Sequence, residues 1–228
     1  MEISKQQIIG CASNIIDHIY NSSDYPPSVS LTTEAILKAV TQISGYKIFA
    51  SEVPVAGGKL RGQLLPFQSG EKFKSYITSK NLQSRIRLNG IADDDRVALI
   101  LLADSSTNNT CWARFTLVKE AAHLVLEGDS VAEWSDITKL SLSLTSQKFD
   151  TLHGEMAIYL NREQAAENLA VEILLCESRL RPWMERQINV NRKTVYEIAK
   201  ILRVPQRFVE QEISKWGIKV SAPKKVSP

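Results

Sequence analysis

Lys119, Glu120 and His123 are the residues of this chain best spaced to do chemistry together. With Thr116 and Glu127 they recur every three or four positions inside RFTLVKEAAHLVLEG (Arg114–Gly128), a spacing that puts all five on one face of a helix. Glu120 to His123 supplies the E-x-x-H part of H-E-x-x-H, in which two histidines one turn apart hold zinc and the intervening glutamate acts as general base. Lys119 stands where the first histidine belongs. A protonated amine has no lone pair to offer a metal, and it adds positive charge where the cation would sit. A plainer reading competes: a helix packed on most sides usually keeps one solvated face, and Lys, Glu and His are ordinary occupants of it.

The elements that would position this stripe can be read from the apolar pattern. Phe115, Leu117, Val118, Ala121, Ala122, Leu124, Val125 and Leu126 make the Arg114 helix apolar over most of its circumference. Arg96 to Ala103 is a continuous apolar run of buried-strand type, Tyr46 to Val53 reads as a strand, and Lys59 to Pro66 reads as another. Gly57-Gly58 between the last two is read as a hairpin turn. Helices are expected up to about Asn21 (Ile8, Ala12, Ile15, Ile16, Ile19), from a cap at Thr33 to Gly45, and around Lys72–Ser79, with an exposed acidic turn at Asp93–Asp95. A second strong helix spans Asn161 to Leu180, with Ala166, Leu169, Ala170, Ile173 and Leu174 as its core stripe. Glu163 falls on the packed side of that helix and Glu167 one turn later on a neighbouring edge. A carboxylate there either meets a cation or sits harmlessly at a frayed N-terminus, where the helix dipole favours it. From Lys193 to Val220 the pattern is helix, short turn, helix, with Val195, Ile198, Ala199 and Leu202 facing Phe208, Val209, Ile213 and Trp216. The outer side of its second helix carries Gln206, Arg207, Gln211 and Lys215, an arrangement like that of a helix-turn-helix.

Composition narrows the function classes. The 228 residues carry 43% hydrophobic content and a net charge of +3, split as +6 from Val190 onward and −3 before it. That asymmetry points to a nucleic-acid or acidic-partner surface at the C-terminus. Cys11, Cys111 and Cys176 are widely spaced with no C-x-x-C, which argues for reduced thiols in a cytoplasmic protein and against a disulfide framework. MEISKQQIIG lacks the basic start and apolar run of a signal peptide, and the longest apolar run, Val97–Ala103, is too short to span a bilayer.

Taken together, RFTLVKEAAHLVL and the downstream EQAAENLAVEILL (Glu163–Leu175) resemble the ImmA/IrrE-type family of zinc metallopeptidases. The first is similar to that family's R-F-T-x-x-H-E-x-x-H helix and the second to its E-x-x-A-N-x-F-A-x-E-L-L. VALILLAD precedes the first motif, and the helix pair follows the second, in the order that family shows. The resemblance covers roughly residues 26–218. It implies an α+β, zincin-like fold, a small sheet packed on an active-site helix, with a helix-turn-helix-like C-terminal hairpin. The expected organisation is an N-terminal helix within residues 1–25, the peptidase-type core over 26–190, the hairpin over 191–220 and a basic flexible tail over 221–228. Carried over by position, His123 and Glu163 retain metal-ligand types and Glu120 the general-base type, while Lys119 occupies a vacated ligand position. Glu167 replaces the family's asparagine, Leu169 its phenylalanine, and Cys176 stands where proline usually follows.

Three functions follow as expectations. The first is a pseudoenzyme with no cofactor, in which Lys119 pairs with Glu163 and also reaches Glu167 or Glu120. It would act by binding a regulatory protein such as a helix-turn-helix repressor or antitoxin, in a phage or mobile-element setting. The second is an active metallo-endopeptidase using zinc or another divalent metal, its site rebuilt with Glu167 or with His153, which otherwise reads as a surface histidine beside a glycine turn. Such carboxylate-rich ligation would favour harder metals. The third is a DNA-binding regulator using Arg207, Gln211 and Lys215.

Overall fold

The computed structural model describes residues 3–21, 30–53, 61–103, 109–128, 149–185, 191–218 and 220, with the side chains of 149–159, 183 and 192 outside that description. The fold is α+β, built on a three-stranded mixed sheet. The strands are β1 (Lys47–Val53), β2 (Gly62–Phe67) and β3 (Val97–Ala103). Around them lie α1 (Lys5–Asn21), α2 (Thr33–Ser44), α3 (Gly70–Ser79), α4 (Thr110–Glu127), α5 (Phe149–Leu174), α6 (Glu177–Glu185), α7 (Arg192–Leu202) and α8 (Gln206–Lys215).

β3 is the central strand, parallel to β1 and antiparallel to β2. Its unbroken apolar run is explained by burial on both faces, the usual condition of a central strand covered on both sides. Ala98, Ile100 and Leu102 face the main helical core, whereas Val97 and Leu99 face a second cluster with Phe73, Ile77, Ile86 and Ile91. Phe73 packs against Phe49 and Phe67 there, at ring-centroid separations of 5.3 and 5.4 Å. The hairpin expected between the first two strands is not formed. β1 and β2 sit on opposite sides of β3, so Gly57-Gly58, which itself lies outside the described residues, connects strands that do not pair. The reason is competition for the central position: the most apolar strand, β3, takes it and separates the other two.

Local chemistry sets the helix ends. Thr32, one residue before the expected cap, accepts the Ala35 N–H at 3.1 Å, and Gly45 closes α2 in the left-handed region at φ 73°. Asn109 caps α4 by accepting from Cys111 and Trp112. Asn191 and Thr194 form a reciprocal capping box on α7. The second strong helix differs from its expected bounds. It begins at Phe149, ends at Leu174, and breaks at Leu175–Cys176 before α6, although apolar residues continue through the break.

The core joins α1, α2, α4, α5, α7 and α8 in one apolar cluster, so the N-terminal helix shares its packing with the rest. α4 lies between the sheet and α5. The helix pair packs as its apolar spacing requires, with Val195, Ile198, Leu202, Phe208, Val209 and Ile213 all buried. Phe208 stacks on Phe115 of α4 at 4.2 Å. Arg114 ties three segments together by donating to the carbonyls of Leu202 and Leu31. Among the described residues, no helix is long and apolar enough to cross a membrane.

Candidate functional site

The polar stripe of α4 is an internal feature. Thr116, Glu120 and His123 are buried, and the Glu127 side chain is only 6% exposed. The solvated-face reading is therefore wrong, because α5 and the start of β2 cover the side left polar. Gly62 allows the β2 approach. A Cβ at that position would run into Thr116 Cγ2 and lie 3.2 Å from Glu120 Cγ, so a side chain there would push the strand off the helix.

Glu163 enters from the middle of α5, opposite the polar stripe of α4. Its Oε2 accepts from Lys119 Nζ, and its Oε1 lies 3.3 Å from His123 Nε2. The alternative of a frayed, solvent-facing carboxylate does not hold, since the helix continues N-terminally to Phe149. Lys119 Nζ also lies 3.5 Å from Glu120 Oε1. On the far side of the imidazole, His123 Nδ1 is 2.6 Å from Glu127 Oε1, and Arg162 Nη1 donates to Glu127 Oε2 at 3.4 Å. Lys119, Glu163, His123, Glu127 and Arg162 thus form one chain of alternating charge between α4 and α5, with Glu120 at its edge.

Burial alone would drive the His123 imidazole towards its neutral form. Hydrogen bonds to Glu127 and Glu163, reinforced by the charges of Glu120 and Glu127, overcome this and raise its pKa from 6.5 to about 9. Burial likewise works against ionised Glu163, but the His123 hydrogen bond and the Lys119 charge bring that carboxyl from 4.5 down to about 2. The group sets three basic side chains, Lys119, His123 and Arg162, against three acidic ones, Glu120, Glu127 and Glu163. A buried group of this kind is tolerated because no member is left without an opposite charge.

Zinc of the kind held by H-E-x-x-H does not fit these residues. The first ligand position carries an ammonium, the imidazole has both nitrogens engaged by carboxylates, and Glu163 is committed to Lys119 and His123. Among the described residues, no group of three or more His, Cys, Asp or Glu side chains is disposed to hold a metal ion. Chemically, the arrangement is an internal charge-compensated network. Its two ends, Lys119 with Glu163 and Arg162, remain partly exposed at 20%, 28% and 18%, while His123 and Glu127 between them are at 10% and 6%.

The other candidates lie elsewhere. Glu167 pairs with Arg207 of α8 at 3.6 Å, across the α5–α8 groove. Position 153 falls within α5 rather than beside a turn at Gly154, and the His153 side chain is outside the described residues. Arg207, Gln211 and Lys215 line a groove of about 670 Å3 between α5 and α8, together with Gln164 and Glu167. Lys215 pairs with Glu212 at 2.5 Å, and Arg207 also lies over the Trp112 and Phe208 rings. Two members of the network were not singled out from sequence as site residues. Glu127 carried a signal, its i+4 spacing from His123. Arg162 carried only its adjacency to Glu163, and its direction depends on how α5 is rotated against α4. In comparisons with known proteins, no family model, no characterised protein and no solved structure matches this chain.

Proposed function

We propose that this chain is a catalytically impaired, ImmA/IrrE-like pseudo-metallopeptidase with a zincin-derived core, which acts in regulation by binding another protein. The observation that carries the reading is the Lys119–Glu163 pair. The lysine sits in the motif position of a metal ligand, and its ammonium meets the carboxylate that the resemblance assigns to the same metal. One fixed cation therefore takes the electrostatic role of another, and the carboxylates are satisfied by a group that cannot polarise a carbonyl or lower the pKa of a bound water. Glu120, the general-base position, is left beside an ammonium with no metal-bound water to activate. A repressor or antitoxin is the partner class that the resemblance suggests. DNA recognition through α8 is disfavoured, because Arg207 and Lys215 already face the carboxylates of Glu167 and Glu212.

Metal content tests the reading. Protein purified without chelator is expected to contain far less than one zinc per chain by elemental analysis, and stoichiometric zinc would sink the proposal. In the complementary variant, Lys119→His supplies an imidazole and releases Glu163, so zinc affinity is expected to appear in a titration where the parent chain shows none.

A further inference from the structure

The two helices of the C-terminal pair treat their charges differently. On α8, Arg207 faces Glu167 and Lys215 faces Glu212. On α7, Lys193, Lys200 and, at its C-cap, Arg203 are exposed, and among the described residues none of them has an ion-pair partner. At 100° per residue, Lys193, Tyr196, Glu197, Lys200 and Ile201 fall on one side of α7, opposite buried Val195, Ile198 and Leu202. Tyr196 is 53% exposed and Ile201 is 62% exposed, large apolar side chains left in solvent. An aromatic and a β-branched residue rimmed by unpaired cations is the composition of a small protein-binding patch: apolar contact at the centre, charge at the edge.

We propose that the outward face of α7 docks an acidic, amphipathic segment of a protein partner, its apolar side chains covering Tyr196 and Ile201 and its carboxylates meeting Lys193, Lys200 and Arg203. Charge complementarity selects the occupant, since α7 and its C-cap carry Arg192, Lys193, Lys200 and Arg203 against Glu197 alone. A protein segment fits better than a nucleic-acid backbone, because exposed Ile201 gains nothing from a phosphate but is covered by an apolar side chain. The inference rests on the reading that the protein works by binding another protein, but it concerns a surface on a different helix from Lys119, and the metal measurements leave it untouched.

The test uses the full chain and fluorescence anisotropy of three labelled probes. They are an 18-residue peptide of glutamate and leucine with leucine on one helical face, its lysine–leucine counterpart, and a short DNA duplex. The glutamate–leucine peptide is expected to bind, and Lys200→Glu with Arg203→Glu should weaken it at least about tenfold, consistent with charge pairs at an interface edge. Ile201→Ser should weaken it about fivefold, and Lys72→Glu on α3 should leave it unchanged. All substituted side chains are exposed, so unaltered thermal unfolding is expected to accompany the loss. No binding of the glutamate–leucine peptide, equal binding of the lysine–leucine peptide, or binding insensitive to the α7 substitutions each overturns the proposal. Tighter binding of the duplex, lost on the same substitutions, overturns it in favour of nucleic acid.

Discussion

The α4–α5 interface and the α7–α8 helix pair use the same residue types to opposite ends. Between α4 and α5, Lys119, Glu163, His123, Glu127 and Arg162 are set in alternating charge where water is largely excluded, and each depends on its neighbours. The α7–α8 pair is anchored by apolar groups, with Phe208 stacked on Phe115 and edge-on to Trp112, while its charges other than buried Glu212 sit towards solvent. Coulombic attraction near the surface is several-fold weaker than in the interior, so geometry alone does not set the worth of an ion pair. Internal charges should therefore behave as structural members, and the hairpin charges as replaceable ones.

The sharpest way to probe that contrast starts from the apolar anchor. Phe208→Ala removes the ring that holds α8 to α4 and is expected to destabilise the protein by about 3–5 kcal/mol, the range for a buried phenylalanine. Denaturant unfolding measures the loss. Limited proteolysis should place the first new cleavage sites in residues 191–220. Cleavage beginning instead in α4 or α5 would mean that the hairpin is not held chiefly through this contact.

Next in size is Glu127→Ala. It leaves the His123 imidazolium and the Arg162 guanidinium short of a shared buried acceptor, for an expected loss of about 2–4 kcal/mol. A loss below about 1 kcal/mol, the range of exposed pairs, would erase the distinction between the two regions.

The network also gives the protein a stability window in pH. His123 is raised from 6.5 to about 9, so its contribution is fully present below pH 6.5 and is lost as pH rises through about 9. Glu163 is lowered from 4.5 to about 2, so its contribution is present above pH 4.5 and is lost as pH falls through about 2. The shared plateau lies between pH 4.5 and 6.5. Because the two groups touch, their shifts partly describe one interaction, and each limb is expected to be on the order of 2 kcal/mol. Glu127→Gln should move the alkaline limb to lower pH and leave the acid limb nearly in place. Unfolding free energy measured across the range checks both limbs.

Much of this arrangement can be read from the chain, and the rest has physical reasons for being hidden. β3 is visible as an apolar run because both of its faces are covered. The pairing of β1 and β2 on either side of it is not visible, because strand order depends on which strand wins the centre rather than on any local turn. The end of α5 is hidden too, since Leu174, Leu175 and Leu180 keep the apolar pattern going through the break. In the site, Lys119, His123 and Glu163 stand out by spacing, whereas the burial of their face does not: a polar stripe on an apolar helix looks the same whether it meets water or another polar stripe. Only the packing of α5 and the bare backbone of Gly62 decide between the two.

The smallest expected effect belongs to the surface side of the comparison. Glu167→Ala removes the partner of Arg207, a pair 3.6 Å apart whose side chains are 32% and 54% exposed. Arg207 keeps its contacts with the Trp112 and Phe208 rings, so the guanidinium is not stranded. The expected cost is below about 1 kcal/mol, shrinking further at high salt because exposed charges are screened there. Glu127→Ala, in contrast, should lose little of its effect when salt is added, since ions do not reach that carboxylate. A matched pair of unfolding curves at low and high salt for the two variants separates an internal charge network from surface ion pairing. Equal salt sensitivity would show that the α4–α5 site is open to solvent, and the case for Lys119 as a fixed internal cation would fall with it.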